Sequence, residues 1–145
     1  MDVLNGFRNT FNELLKDSEK SINELSEDLN TSPYVILKWK NRTVDLKMRS
    51  LIKIADYFDC SLEYLCGKTQ VFLDYEPKSC PLFCDRIVTV LSECHVSSYS
   101  LFKNTKIRPA QYHHWRTGTE PLLSSLETIA EHLEITLDYL LGRDR

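Results

Sequence analysis

The sequence contains two related segments, and this internal repeat constrains the fold more than any other feature. Residues 50–67 align with residues 125–142 at an offset of 75, and eight of the 18 positions are identical. Two copies are too few for a solenoid, whose units bury their cores only by stacking on neighbours. Each copy therefore needs a core of its own, and the repeat predicts two domains.

The repeat continues more weakly towards the N-terminus of each copy, at an offset of 76. The matching pairs are Phe7/Phe83, Leu15/Leu91, Ser21/Ser97, Leu25/Leu101, Pro33/Pro109 and Trp39/Trp115. A chain of 145 residues can hold two domains, because many domains of about 55 to 65 residues fold alone. We predict a first domain at residues 1–68, a linker at 69–80 and a second domain at 81–145. The linker carries apolar residues that we expect to pack against a domain: Val71, Phe72, Leu73 and Tyr75.

Local patterns predict five helices in each copy. The first has apolar residues at helical spacing: Phe7, Phe11, Leu14 and Leu15. Ser21 and Glu24 fit a capping box at the start of the second helix, which we expect to end near Leu29. After Asn30, which tolerates a left-handed backbone, the third helix begins at Pro33. The remaining predicted helices are 46–58, 62–66, 81–92, 98–105, 109–117, 123–133 and 137–141, with Gly67 ending the fifth.

Residues 21–39 read Ser-Ile-Asn-Glu-Leu-Ser-x-x-Leu-Asn-Thr-Ser-Pro-x-x-Ile-x-x-Trp, and the repeated segment follows them. Together these motifs resemble the Cro/phage-repressor (XRE) helix-turn-helix family. Residues 7–67 match the family pattern well, whereas residues 83–142 match well only in their second half. The resemblance implies an all-α chain of two tandem five-helix lambda-repressor-like domains, each placing its third helix in the DNA major groove. It implies a sequence-specific transcriptional regulator, and we expect a repressor.

The exposed side of each third helix follows from a rotation of about 100° per residue. With Ile36 and Trp39 inward, the first copy exposes Tyr34, Leu37, Lys38 and Asn41. The same arithmetic in the second copy exposes Ala110, His113, His114 and Thr117. The resemblance implies these base-reading candidates: Ser32, Pro33, Tyr34, Leu37, Lys38, Arg108, Ala110, His113 and His114. Lys38 could donate to guanine, Leu37 or Ala110 could touch a thymine methyl, and His114 could donate or accept.

The charge distribution supports a double-stranded DNA partner even though the formal net charge is −3. Residues 38–53 hold six basic residues and one acid, and residues 94–119 hold four basic residues and no acid. Cations and helix N-termini beside a groove-bound helix suit phosphate oxygens. The phosphate candidates are Ser21, Lys40, Asn41, Arg42, Lys47, Arg49, Ser97, Ser98, Lys106, Arg116 and Thr117.

The second copy departs from the family pattern in its turn. The family usually has a small residue after the conserved Leu of the second helix, and this is Ser26 in the first copy but Phe102 in the second. The family usually has Gly at the turn, where Asn30 and Lys106 stand here, and Lys tolerates positive φ less well than Asn. We therefore expect an altered helix angle in the second copy. Because Tyr34, Leu37 and Ala110 offer little hydrogen bonding, DNA shape is expected to contribute to recognition.

Other functional classes find little support. The five cysteines lack paired CxxC spacing, and a zinc site built from Cys80, Cys84, Cys94 and His95 would have no recognised spacing. Cys60 and Cys66 align with apolar residues and are expected in the core. The His113–His114 pair has no carboxylate nearby in sequence, and no phosphate-binding glycine loop or catalytic motif occurs, so we expect neither a cofactor nor an enzyme.

No apolar stretch approaches the roughly 18 residues of a membrane helix, and the N-terminus lacks a signal pattern. We therefore expect a cytoplasmic protein that does not bind membranes. The rival function is a protein-interaction module in which one or both domains no longer contact DNA and instead form a homodimer or bind a second regulator. Exposed Tyr34 and Leu37, and the aromatics beside Tyr112, favour that alternative.

Overall fold

The computed structural model describes residues 2–72, 75–76 and 79–143, and their regular elements are ten α-helices. The chain divides into two compact units, Met1–Glu76 and Pro77–Arg145, and the division falls inside the predicted linker. The first unit contains α1 (Val3–Ser18), α2 (Ile22–Asp28), α3 (Pro33–Asn41), α4 (Met48–Tyr57) and α5 (Leu62–Leu65). The second contains α6 (Phe83–Glu93), α7 (Ser98–Asn104), α8 (Pro109–Arg116), α9 (Leu123–Leu133) and α10 (Leu137–Leu140). The predicted all-α class is confirmed for the described residues.

The predicted helix bounds are largely confirmed, with differences at the ends. The sixth helix begins at Phe83 rather than residue 81, because Leu82 has an extended backbone and forms the N-cap. The fourth begins at Met48 rather than residue 46, because Lys47 is extended. The fourth, fifth, seventh, eighth and tenth each end one residue earlier than predicted, and the sixth ends one residue later. Gly67 and Gly142 follow the short fifth and tenth helices with φ of 73° and 80°, a conformation that favours glycine.

The core of the first unit is centred on the aromatic residues of α1. The Phe11 ring meets the edge of Trp39 at a centroid distance of 5.9 Å and that of Phe58 at 6.5 Å. The other fully buried residues include Phe7, Leu25, Ile36, Leu51, Ile54, Ala55, Cys60, Leu62, Leu65 and Cys66. The core positions predicted for Cys60 and Cys66 are thus confirmed, whereas Leu14 is only half-buried.

The core of the second unit has the same order of elements. Phe83 on α6 meets Trp115 on α8 edge-on, with centroids 5.8 Å apart. The buried aliphatic residues are Ile87, Val90, Leu101, Ile107, Leu123, Leu126, Ile129, Leu137 and Leu140. Arg86 is also buried, and its guanidinium donates to the carbonyls of Tyr139 and Leu140 at 2.5 and 3.1 Å, which fixes α6 to the end of α10.

The predicted linker contacts the first unit at two points. The Phe72 ring meets Tyr64 edge-on at 5.0 Å, and the backbone N–H of Tyr75 donates to the Asp59 carbonyl at 2.9 Å. Val71 is 61% exposed, so the expectation that it packs is wrong. Leu73, which was also expected to pack, lies outside the described residues.

Within the described part of the chain, none of the helices combines the length and the apolar composition needed to cross a membrane.

Candidate nucleic-acid interface

Helix α2 and the turn that joins it to α3 are built from local interactions that the sequence predicts. The Ser21 hydroxyl accepts from the Glu24 N–H at 3.1 Å, and the Glu24 carboxylate accepts from the Ser21 N–H at 3.2 Å, so the capping box is confirmed. Asn30 has a left-handed backbone with φ of 52°. The Ser32 hydroxyl then accepts from the Val35 N–H at 3.3 Å, which starts α3 with Pro33 in its first turn.

The exposed side of α3 is the one predicted. Ile36 and Trp39 are buried, and Tyr34 is 66% and Leu37 42% exposed. Lys38 and Asn41 are exposed as well, and so are Ser32 and Pro33 at the N-terminal end. The side chains of this face line a shallow groove of about 170 Å³: Tyr34, Leu37, Lys38, Asn41 and Arg42. The structure therefore brings the five together on one surface.

The end of α3 is held against α1. The Asn12 side-chain amide donates to the Lys40 carbonyl at 3.0 Å, and Thr43 donates to the Asn5 side chain at 3.1 Å. Sequence reasoning missed Asn5 and Asn12, because nothing in the local pattern shows that their amides reach residues 38 and 28 positions away. They position the loop that carries the predicted phosphate contacts.

The phosphate candidates of the first unit are exposed. They are Ser21, Lys40, Asn41, Arg42, Lys47 and Arg49. Ser21 and Lys40 also line a common open cleft of about 710 Å³ between α1, α2 and the end of α3. The cations therefore surround the exposed face of α3 at its C-terminal end and in the loop that follows.

The turn between α7 and α8 has a different structure. The Thr105 hydroxyl donates to the Leu101 carbonyl at 2.6 Å and accepts from the Ile107 N–H at 3.1 Å. Thr105 is extended, and Lys106 has no left-handed backbone, unlike Asn30 in the first unit. The concern that Lys106 must occupy an unfavourable positive φ is therefore wrong, because the Thr105 hydroxyl completes the turn.

Phe102 changes how α7 meets α8. Its ring contacts Tyr112 on α8 edge-on at a centroid distance of 5.7 Å. Ser26 at the equivalent place on α2 is buried, and its hydroxyl donates to the Asn23 carbonyl at 2.7 Å. Accordingly α2 and α3 pack closely, whereas α7 and α8 approach each other less closely. The altered helix angle expected for the second copy stays a prediction.

The exposed side of α8 also matches the prediction. Trp115 is buried, whereas Ala110, His113, His114 and Thr117 are exposed. The His113 and His114 rings lie 6.0 Å apart, centroid to centroid. Arg108 is the N-cap of the helix, and its backbone N–H donates to the Gln111 side chain at 2.9 Å. The Arg108 guanidinium makes no capping hydrogen bond.

The phosphate candidates of the second unit occupy different environments. Ser97 caps α7 by accepting from the Ser100 N–H at 3.1 Å, and Ser98 is the first residue of that helix. Lys106 is exposed in the turn. The Arg116 guanidinium donates to the Cys84 carbonyl, so this side chain also holds α8 against α6. An exposed Tyr99 in the first turn of α7, at 70%, is an additional aromatic group that sequence reasoning did not select.

A surface cluster fixes the C-terminal end of α2 to α4. The Asp28 carboxylate accepts from the Lys20 ammonium at 2.7 Å and from the Tyr57 hydroxyl at 2.6 Å. These bonds hold the pKa of Asp28 below its usual value and raise the pKa of Lys20. The pKa of Tyr57 is raised chiefly by its partial burial and, to a lesser extent, by its hydrogen bond to Asp28. The cluster keeps α2 in place behind the α3 face.

The cysteine and histidine side chains do not form a metal centre in the described ranges. No three His, Cys, Asp or Glu side chains in residues 2–72, 75–76 and 79–143 lie close enough to hold a metal ion. Cys80, Cys84 and Cys94 are half-buried, and His95 stands in the turn after α6 with φ of 56°.

The first unit therefore has two short helices joined by a tight turn, and the second of them exposes Tyr34, Leu37 and Lys38, with further cations at its C-terminal end and in the loop that follows. This arrangement defines a helix-turn-helix unit. Comparison with known families agrees: residues 10–67 match the Cro/C1-type HTH DNA-binding domain, so this unit contains one such domain. The match does not include the second repeat. No curated protein and no solved structure matches the chain.

Proposed function

We propose that the protein is a sequence-specific transcriptional regulator that represses by occupying DNA near a promoter. One observation carries this proposal: the Cro/C1-type domain exposes the Tyr34, Leu37 and Lys38 side of α3, and exposed cations adjoin it. A helix of this kind fits the major groove, while flanking cations meet the phosphates. In this proposal Lys38 donates to guanine O6 or N7, and Leu37 contacts a thymine methyl group.

The proposal extends to the second unit. Three features support a second helix-turn-helix domain there: the sequence repeat, the same order of five helices, and the same buried tryptophan in the third helix. Its α8 presents Ala110, His113 and His114 where α3 presents other side chains. Two linked domains would therefore read two different half-sites, and covalent linkage would raise the affinity through effective concentration. The proposal assigns the protein no catalytic step and no cofactor.

The direct test is salt-dependent binding of the full chain to DNA. A pool of random duplexes, enriched by repeated selection on the purified protein, supplies the probe, and fluorescence anisotropy measures its affinity over a range of salt concentrations. Each phosphate neutralised adds about −0.9 to the slope of log K against log salt. We expect a slope of about −4 or steeper, from four or more contacts. Absence of binding at low salt would overturn the proposal.

Footprinting on the selected DNA tests whether both units bind. Half-sites one helical turn apart lie about 34 Å from centre to centre. We expect protection to extend over more than one turn and to contain two unequal sequence motifs. Protection of about half a turn would contradict binding by two domains, while leaving binding by the first unit intact.

A second candidate function is a protein-interaction module. The exposed Tyr34 and Leu37 side chains favour it, because apolar and aromatic groups at the centre of a surface are typical of protein interfaces. The salt titration separates the two functions. An apolar protein contact does not share the steep salt dependence of phosphate contacts, and sedimentation at low and high salt would show whether the chain self-associates.

A further inference from the structure

The exposed faces of α3 and α8 differ in the chemistry of their ionisable groups. On α3 they comprise Tyr34 and Lys38, and neither is a histidine. On α8 they include His113 and His114, and histidine is the side chain whose charge ordinarily changes between about pH 5 and 8. Of these two helices, only α8 therefore exposes a pair of histidines.

The two histidines are placed to act outward. Both are exposed, whereas Trp115, which follows them on α8, is buried. The backbone carbonyls of both accept hydrogen bonds from the Thr117 N–H, and that of His114 also from the Thr119 N–H, which fixes the backbone end of the helix. The imidazole rings, tilted at 58° to each other, cover neighbouring parts of one surface.

The charges around the pair are mostly basic. Arg108 and Arg116 are on either end of the same helix, and Glu120 is the first acid after it in the sequence. Helix α7 packs through Phe102 and Tyr112, and α6 packs through Phe83 and Trp115. The ionisable side chains of these two helices are Tyr99 and Lys103 on α7, and Cys84, Asp85, Arg86, Glu93 on α6. Arg86 is buried, is paired with Glu93 at 3.5 Å and donates to carbonyls of α10.

The acids near α8 are few and lie at one end. Asp85, in the first turn of α6, is exposed, and Arg116 reaches the adjacent Cys84 carbonyl. No acid occurs from residue 94 to residue 119. A proton added to either histidine thus gains little from the protein, whereas a phosphate backbone beside α8 would stabilise the added charge.

We propose that binding of DNA by α8 takes up protons on His113 and His114, so that the second unit holds DNA more tightly as the pH falls. The inference rests on the proposed DNA-binding function and adds a regulation to it. The first unit has no such pair on α3, and its affinity stays constant over the same range. The chain would therefore combine one DNA-binding unit whose affinity does not depend on pH with a second unit whose affinity does.

Protonation and salt dependence are linked in this proposal. Each imidazolium that meets a phosphate releases condensed counterions, which adds about −0.9 to the slope of log K against log salt. Two histidines would steepen the slope by roughly 2 units between about pH 8 and pH 6. The affinity itself would rise several-fold over that interval at moderate salt.

The experiment uses the full chain and a labelled duplex of random sequence, about 30 base pairs or three helical turns long. Anisotropy titrations at about pH 6 and pH 8, each at several salt concentrations, give both the affinity and the slope. The test variant carries His113→Gln and His114→Gln. The matched control carries His95→Asn and His132→Gln, and so loses the same number of histidines elsewhere in the second unit.

We expect the wild type and the control to bind more tightly, and with a steeper slope, at the lower pH, and the test variant to lose both differences. Equal affinity of the wild type at both pH values would overturn the inference. So would weaker binding at low pH, since that result would mean that a neutral imidazole accepts a hydrogen bond from a base. If no variant binds DNA at any pH or salt concentration, the proposed function itself fails, and the two failures are therefore distinguishable.

Discussion

The ring of Phe102 stands edge-on against Tyr112, 5.7 Å away, at the place where Ser26 allows α2 to pack closely on α3. The two helix pairs thus differ in the residue at this position and in how closely their backbones approach. The sequence contains one tryptophan in each unit, Trp39 and Trp115. Their two indole N–H resonances can therefore report the unfolding of each unit separately, without any further substitution.

Exchange of these two residues tests their role. Phe102→Ser removes a half-buried ring and an aromatic contact, and we expect it to destabilise the second unit by about 1–3 kcal/mol. Ser26→Phe forces a ring between closely packed helices, and we expect it to destabilise the first unit by about 2–3 kcal/mol. Urea denaturation followed at each indole signal measures both. Unchanged stability in either variant would contradict this account of the spacing.

Gly6 is the second test, because it lies where α1 meets the end of α5. A Cβ atom added there would be 2.1 Å from the Cys66 carbonyl oxygen, which is a backbone atom. Helix propensity alone favours alanine by about 1 kcal/mol, but overpacking typically costs about 1–3 kcal/mol or more. We expect Gly6→Ala to destabilise the first unit despite the gain in propensity. The exposed Asn9→Ala on the same helix is the control, and it should be neutral or slightly stabilising.

The ion pair at the end of each unit gives a third prediction. Arg143 and Asp138 are buried and 2.6 Å apart, whereas Lys68 and Glu63 occupy the equivalent positions at 3.8 Å with partial exposure. Asp138→Asn removes the carboxylate charge from a buried ion pair, and we expect a loss of about 2–4 kcal/mol in the second unit. The matched Glu63→Gln should cost the first unit no more than about 1 kcal/mol. Equal losses would show that burial does not separate the two pairs.

The Asp28 cluster predicts a pH dependence of stability. Hydrogen bonds from Lys20 and Tyr57 lower the pKa of Asp28 in the folded protein. Its contribution is therefore complete above the unfolded value of about 4, and it is lost as the pH falls through the lower folded value. The raised pKa of Tyr57 matters at alkaline pH. The stability that Tyr57 contributes is present below about pH 10 and is lost as the pH rises further.

Asp28→Asn should therefore lower stability at neutral pH and converge on the wild type in acid. Unfolding curves at the Trp39 resonance over about pH 2 to pH 7 measure the difference. Asp17→Asn, an exposed carboxylate on α1, is the control and should follow the wild type. A constant gap between Asp28→Asn and the wild type across that range would show that the carboxylate charge is irrelevant.

Two substitutions test the proposed recognition helices in separate binding assays. Lys38→Ala should weaken binding to selected DNA by about 1–3 kcal/mol and relax the base preference at one position. Arg108→Ala should do the same for the half-site of the second unit. Lys53→Ala, an exposed lysine in the middle of α4, is the control of equal charge change. If neither Lys38→Ala nor Arg108→Ala exceeds that control, the recognition helices are wrongly assigned.

The helix-turn-helix segments of the two units differ in how well their local structure could be predicted from the sequence. The capping box of Ser21 and Glu24, the left-handed Asn30 and the start of α3 at Pro33 are confirmed, because each depends on residues no more than a few positions apart. The extended Thr105, which completes the second turn, was not predicted. Its hydroxyl bonds are local, to Leu101 and Ile107, but such side-chain bonds compete with regular backbone hydrogen bonds, and the residue types alone do not show which arrangement forms.

The sequence by itself determined the helices, the inward residues and the exposed sides of α3 and α8, because the period of apolar residues fixes which side of a helix is buried. Only the tertiary structure decided the long-range contacts. Asn12 reaches the end of α3, Gly6 admits the end of α5, and the Arg116 guanidinium holds α6. Those contacts join residues far apart in the chain, and their geometry depends on how whole helices pack, which no local pattern records.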